Sequence, residues 1–220
     1  MILKKIKYFL LMSSALNCFT LMINPFGDAQ CAGRIVDDSF ERGLTLQFAE
    51  ELQRKISKIL PVRVVLSRFA GETLENLQVA NFSNRLQVDF FISIHFYKSN
   101  FFPKLHIYYY SKNNFEKQLA TENLFSCPLF LCPLFLCPIE EVYRFNINNT
   151  KKIAELFFNN LNNTQSPKKW LTQKPLGIPF LPLKGIVAPS IALEIGLNKS
   201  DDWHKIIDYI TEAFVLTFKN

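Results

Sequence analysis

The run Phe90-Phe91-Ile92-Ser93-Ile94-His95 constrains this chain more than any other segment. Successive side chains of a strand point to opposite faces, so a nearly continuous apolar run needs apolar cover on both sides. Such a strand belongs in the interior of a sheet that carries helices above and below it.

The rest of the sequence supplies partners for that sheet. Phe19 to Asn24 reads as a strand that stops at the turn Pro25-Phe26-Gly27. Ser39 to Leu60 reads as a helix with Ser39 as N-cap, an apolar stripe of Leu44, Phe48, Leu52, Ile56 and Ile59, and Pro61 as its stop. Val62 to Leu66, Leu105 to Tyr110 and Ile186 to Glu194 have strand character. Leu74 to Leu86, Phe115 to Leu124, Lys151 to Leu161 and Trp203 to Phe218 have helical character, with the Asn159 to Asn163 stretch as a helix end and polar loop. Strands alternating with helices predict an α/β fold: a single-domain sandwich with a central, mostly parallel mixed sheet flanked by helices. At 220 residues and 49% hydrophobic composition, one domain with its own core suffices. Ligands of such sheets collect beyond the carboxyl ends of the strands. Phe26, His95 and Glu194 are expected at those ends, and Glu41, opening the first helix, faces the same edge.

The termini and inserts suggest a compartment. Lys4, Lys5 and Lys7 precede the apolar stretch Tyr8 to Met12 and the small residues Ser13-Ser14-Ala15, the layout of a secretory leader over 1–15. The apolar run resumes at Phe19, so an uncleaved membrane anchor is the alternative. Residues 16–220 then form the domain, carrying a repeat insert near 126–138. There Cys127, Cys132 and Cys137 each precede a proline, at a spacing that is not usual for a zinc site. The insert reads as a duplicated apolar loop, or as a contact surface for the membrane or an envelope protein. With Cys18 and Cys31 the cysteine count is odd, against a complete disulfide framework. The net charge of +6 suits acidic polymers. The sequence has no dense Lys/Arg block and no nucleic-acid-binding signature, which argues against nucleic acid as a partner.

Several short motifs, in order, resemble one family. Ile23-Asn24-Pro25-Phe26-Gly27 looks like an Asp-Pro-Gly-His-Gly-type loop, and Glu41 lies in Ser39-Phe40-Glu41-Arg42-Gly43. Leu66-Ser67-Arg68, Ser83-Asn84, Val88-Asp89-Phe90-Phe91-Ile92-Ser93-Ile94-His95 and Pro189-Ser190-Ile191-Ala192-Leu193-Glu194-Ile195-Gly196 follow. The ordered set is similar to that of the zinc-dependent N-acetylmuramoyl-L-alanine amidases. The resemblance implies a mixed α/β fold, one zinc ion, and hydrolysis of the peptidoglycan amide between N-acetylmuramic acid and L-alanine. It also implies Glu41 and His95 as metal ligands and Glu194 as general acid/base. In such chemistry the metal lowers the pKa of its bound water and a carboxylate moves the proton.

The sequence departs from the pattern at the first ligand. The family has His where this chain has Phe26, Asn24 stands in place of Asp, and Val79 fills an arginine position. Phe offers no lone pair. Asp28 and Cys31 in the same loop are capable substitutes, and His106 on the next strand is a more distant one. Two readings therefore stand: an exported cell-wall amidase, and a catalytically inactive amidase-fold protein that binds peptidoglycan or an envelope partner. Taken singly, His95 is a structural histidine, Glu41 a first-turn acid and Glu194 an ion-pair residue. His204 reads as a surface or packing residue, and Tyr108-Tyr109-Tyr110 as core and strand packing rather than a sugar platform.

Overall fold

The computed structural model describes residues 18–100, 103–112, 138–164 and 171–219. The expected leader, the cysteine repeat and the helix expected at Phe115 to Leu124 lie outside the described residues. In chain order the elements are β1 (Thr20–Pro25), β2 (Ile35–Val36), β3 (Ser39–Phe40), α1 (Glu41–Ile59), β4 (Arg63–Leu66), α2 (Asn76–Arg85), β5 (Phe90–Lys98), β6 (Lys104–Tyr110), α3 (Ile147–Asn163), β7 (Leu171–Thr172), β8 (Leu176–Ile178), β9 (Ser190–Leu197) and α4 (Trp203–Phe218). Short 3-10 turns at Val142–Phe145, Leu181–Leu183 and Ser200–Asp202 join them.

The seven-stranded sheet has the order β4-β1-β5-β9-β6-β7, with β8 also paired to β6. β4, β1, β5 and β9 run parallel, and β6 is antiparallel to β9. This is the α/β sandwich with a mostly parallel mixed sheet that the sequence pattern predicts. The chain leaves β1 toward β4 on one side and returns to β5 on the other, so the sheet changes direction between β1 and β5. Open α/β sheets form their binding crevice at such a point.

Strand alternation sorts the two faces. Leu21, Ile23, Phe90, Ile92, Ile94, Phe96, Ile191, Leu193 and Ile195 pack with Phe48, Leu52 and Ile56 of α1, Phe157 of α3 and Ile210 and Phe214 of α4. The intervening residues Met22, Phe91 and Ala192 pack under Val79 and Ala80 of α2 and Leu183. This second face is covered by fewer helices. Toward the carboxyl ends of its strands the same alternation brings up Asn24, Ser93, His95 and Glu194.

Some boundaries differ from the sequence reading, for local reasons. α1 starts at Glu41, with Phe40 at the cap position and no side-chain cap bond. Ser39, the expected cap, sits in the β2–β3 hairpin opposite Val36 and donates to Asp38 instead. Ile59 is 56% exposed, because the chain turns away there and Leu60 enters the core in its place. β5 and β9 continue past His95 and Glu194, through Tyr97↔Gly196 and Lys98↔Leu197. Both functional candidates therefore lie within strands rather than at their ends. Asn159 to Asn163 form the last turns of α3 rather than a loop. α2 begins at Asn76, capped by a Glu75–Gln78 capping box.

Asp202 anchors α4. Its carboxylate accepts the Lys199 N–H at 2.9 Å and pairs with Lys205 at 2.5 Å. Burial pushes its pKa up, but the Lys205 and Lys199 bonds outweigh that, and the net shift is below the ordinary value. A depressed folded-state pKa contributes stability that is present above the unfolded value of ~3.9 and lost as pH falls through the folded one. Asp202→Ala should therefore cost about 1 kcal/mol near neutral pH in urea unfolding, and the difference from wild type should shrink in acid.

Candidate functional site

The site forms where β1, β5 and β9 run side by side. The Phe26 N–H donates to the Ile94 carbonyl at 3.0 Å, which sets the residue after β1 beside His95. The loop then turns through Gly27 at φ +80°. Asp28 closes the turn by accepting the N–H groups of Gln30 (2.8 Å) and Cys31 (2.6 Å). Burial raises the Asp28 pKa, but these backbone bonds prevail and hold it below the ordinary value. Gly33, at φ +72°, then passes so close to the start of α1 that an added Cβ would lie 2.8 Å from Glu41 Cβ.

That approach delivers Arg34 to Glu41. Glu41 is fully buried. Its Oε1 accepts the Phe96 N–H at 2.8 Å and Arg34 Nη2 at 3.1 Å. Its Oε2 accepts the Arg34 backbone N–H at 2.9 Å and Nε at 3.2 Å. The other arm of the guanidinium, Nη1, donates to Glu194 Oε1 at 2.6 Å. Glu194 Oε2 accepts the Tyr108 hydroxyl at 3.2 Å. The guanidinium also lies 5.6 Å from the centre of the Tyr97 ring. Burial alone would lower the Arg34 pKa, but the bonds to Glu41 and Glu194 raise it. Burial, then the Glu194 charge, pushes the Tyr108 hydroxyl up to about 12, so it remains a donor.

His95 is 3% exposed. Its ring lies between Phe26, at 4.6 Å centroid separation, and Phe180, at 5.0 Å. Its Nε2 is 2.8 Å from Ser93 Oγ. Ser93 accepts Asn24 Nδ2 at 3.0 Å, and Asn24 Oδ1 accepts the Ser67 hydroxyl at 2.6 Å. Ser93 Oγ thus links Asn24 to the imidazole. Nδ1 faces Glu41 Oε1 at 3.9 Å. Burial, and then the Arg34 charge, pushes the His95 pKa down to about 3, so the ring is neutral at physiological pH.

Above these groups opens a cleft of about 680 Å³, lined by Phe26, Arg34, His95, Phe180, Leu181 and Glu194 among others. Its size fits a small-ligand site, with an apolar wall and a few convergent polar groups. Beyond Phe26 a smaller cavity of about 270 Å³ is bounded by Asp28, Cys31 and Arg68. Arg68 is buried and donates to the carbonyls of Pro25, Phe26 and Arg42, which braces the loop.

The structure brings Phe26, Glu41, His95 and Glu194 together, as their order in the sequence implies. Sequence reasoning missed Arg34, an unremarked loop residue, and Tyr108, read as strand packing. Tyr108 is in fact bonded to Glu194, because β6 is antiparallel to β9 and its Tyr108 register faces the same side. Phe180, from the loop before β9, was missed as well.

The residues present do not fit a zinc ion. A catalytic zinc needs three protein donors and an open position. Phe26 supplies a ring without a lone pair where the family resemblance implies a donor, and both Glu41 oxygens already accept hydrogen bonds. Among the described residues no group of three His, Cys, Asp or Glu side chains is placed to hold a metal. Asp28 is spent on its own turn, Cys31 is exposed, and His106 contacts Tyr97 and Tyr108.

Gly33→Ala should destabilise the protein by about 1–3 kcal/mol, through its left-handed backbone and the clash with Glu41. Gly43→Ala, in α1 with open space around it, should stabilise by roughly 0.5–1 kcal/mol. Urea unfolding of the two variants checks the contrast.

Comparison with known proteins supplies a lineage. The family model described as N-acetylmuramoyl-L-alanine amidase matches residues 27–211. No curated protein sequence matches the chain. Among solved structures, an N-acetylmuramoyl-L-alanine amidase from Clostridium difficile 630 superposes with a TM-score of 0.64 at 17% identity, over 93% of this chain and 100% of the other. The amidase Ami1 from Mycobacterium smegmatis gives 0.63 at 14% identity, over 92% and 98%. AmiC2 of Nostoc punctiforme gives 0.61 at 15% identity, over 92% and 98%. At such identities these likenesses speak for the fold.

Proposed function

The chain belongs to the N-acetylmuramoyl-L-alanine amidase family, and from that premise we propose that its cleft binds the muramoyl-peptide portion of peptidoglycan without zinc-dependent hydrolysis. The observation that carries this reading is the Glu41 carboxylate, buried and with both oxygens bonded, beside a phenylalanine in the first ligand's place.

The chemistry of the cleft supports binding. Phe180 and the 62% exposed Leu181 offer an apolar wall, and the half-exposed Arg34 and the Tyr108–Glu194 pair offer polar groups at the mouth. An amphipathic sugar-peptide presents matching surfaces. Among the described residues no three His, Cys, Asp or Glu side chains are placed to hold a metal that would polarise the carbonyl, and Glu194 is engaged by Arg34 and Tyr108. The net charge of +6 suits an acidic wall polymer. Export through the leader at 1–15, with activity at the cell envelope, belongs to the same proposal. Among the described residues no helix is long and apolar enough to cross a membrane.

The test is co-sedimentation with insoluble peptidoglycan, together with calorimetric titration of a soluble muramoyl-peptide, each with and without added zinc. Binding is expected in both conditions, with no stem peptide released. Leu181→Ala should weaken the muramoyl-peptide Kd by roughly tenfold, equivalent to ~1.4 kcal/mol. Release of stem peptide on adding zinc, or absence of binding, overturns the reading.

A further inference from the structure

We propose that the cleft continues onto an aromatic strip formed by Phe180, Tyr108, His106 and Tyr97, and that this strip binds the glycan, a chain of pyranose rings. The inference rests on the reading of the cleft for the identity of the polymer, and it names the part of that polymer that runs out of the cleft.

Strand alternation builds the strip. Leu105 and Ile107 of β6 belong to the core under α3 and α4, with Tyr109 packed against it. His106 and Tyr108 therefore face the cleft side of the sheet. Phe180, on the cleft wall and 5.0 Å from His95 between ring centres, stacks with Tyr108 at 5.6 Å and 25°. Tyr108 stacks with His106 at 6.0 Å and 5°. Tyr97 of β5 ends the row. Its ring centre lies 6.3 Å from that of His106, and its hydroxyl 3.4 Å from His106 Nε2. Tyr97 reaches across β9 because its register partner there is Gly196, where an added Cβ would lie 2.7 Å from Tyr97 Cζ. The phenol thus lies over bare backbone. All four residues of the strip are half-buried, so the row is part of the protein surface.

The chemistry of the row fits a sugar chain. A pyranose has an apolar face of axial C–H groups and a rim of hydroxyls. The C–H face suits the negative face of an aromatic ring, and the rim needs polar neighbours. The row supplies them through the Tyr108 hydroxyl on Glu194, the Tyr97 hydroxyl, and the Arg34 guanidinium 5.6 Å from the Tyr97 ring centre. Other polymers fit less well. A peptide strand joins a sheet through a free edge, but β6 is paired on both sides, with β9 and with β7 and β8. A phosphate chain needs free cations, but Arg34 and Lys98 beside the row are held by Glu41, Glu194 and Asp37.

The experiment titrates the full-length protein with tetra-N-acetylchitotetraose, a peptide-free oligomer of N-acetylglucosamine. It reads calorimetry and saturation-transfer NMR with irradiation of the aromatic protons. Wild type should bind the oligomer, with saturation reaching the sugar's ring C–H protons. His106→Leu and Tyr97→Leu keep side-chain bulk on the strip but remove the flat ring, and each should weaken the Kd by about three- to tenfold. Leu156→Ala, at an exposed position of α3, should leave it unchanged. Absence of binding, or binding that neither strip variant weakens, overturns the proposal. Should a strip variant fail to fold, the wild-type saturation pattern decides: transfer from aromatic protons to the sugar supports the strip, and its absence overturns it. The muramoyl-peptide titration reads the cleft, and the peptide-free oligomer reads the strip. Muramoyl-peptide binding without oligomer binding sinks this proposal alone, whereas oligomer binding through the strip without muramoyl-peptide binding sinks the reading of the cleft alone.

Discussion

A carboxylate removed from water must be met by charge and hydrogen bonds, and the fully buried Glu41 sets that demand for the whole site. Four donors meet it, three from Arg34 and one from the β5 backbone. To bring those donors in, the loop after β1 must fold back on α1, which needs the bare backbone of Gly33. The same guanidinium ties Glu194 of β9 to the loop, so one ion triad joins α1, the loop and the middle of the sheet. Truncating a partner of such a network leaves an uncompensated buried charge, which is costly well beyond the net worth of the pair.

The sheet explains why the triad forms here. β1, β5 and β9 are parallel neighbours, and their registers put Asn24 beside Ser93 and His95 beside Glu194. One face of these strands is sealed by α1, α3 and α4. The other is covered by α2 and short turns, so polar residues near the carboxyl ends of its strands can reach a cleft. The chain Ser67–Asn24–Ser93–His95 satisfies the polar groups buried under that cleft and holds the imidazole in place. Asn24 is suited to this chain as an aspartate is not. Its amide donates to Ser93 while its carbonyl accepts from Ser67.

Much of the fold was legible because it rests on periodicity. The apolar run from Phe90 required a two-sided interior strand, and the stripe of Leu44, Phe48, Leu52 and Ile56 required a helix against it. The boundaries were less legible. Ser39 has the chemistry of a cap but is claimed by the β2–β3 hairpin, and Ile59 matches the stripe but falls where the chain turns outward. In both cases a tertiary contact outweighed a local preference worth about 1 kcal/mol or less. The convergence of Phe26, Glu41, His95 and Glu194 was readable from motif order. The roles of Arg34 and Tyr108 were not, since no spacing rule predicts which loop arginine or which strand tyrosine will meet a distant carboxylate.

By itself the sequence determined the α/β class, the interior strand and the helices that cover it. These follow from local pattern and side-chain chemistry, which need no knowledge of what lies far along the chain. Only the tertiary structure decided what Glu41, His95 and Glu194 do. A carboxylate and an imidazole are metal ligands when their lone pairs are free, and structural groups when those lone pairs are taken. Which state holds depends on partners 55 and 160 residues away, Phe96 for Glu41 and Arg34 for Glu194, and folding alone brings such partners within hydrogen-bonding reach.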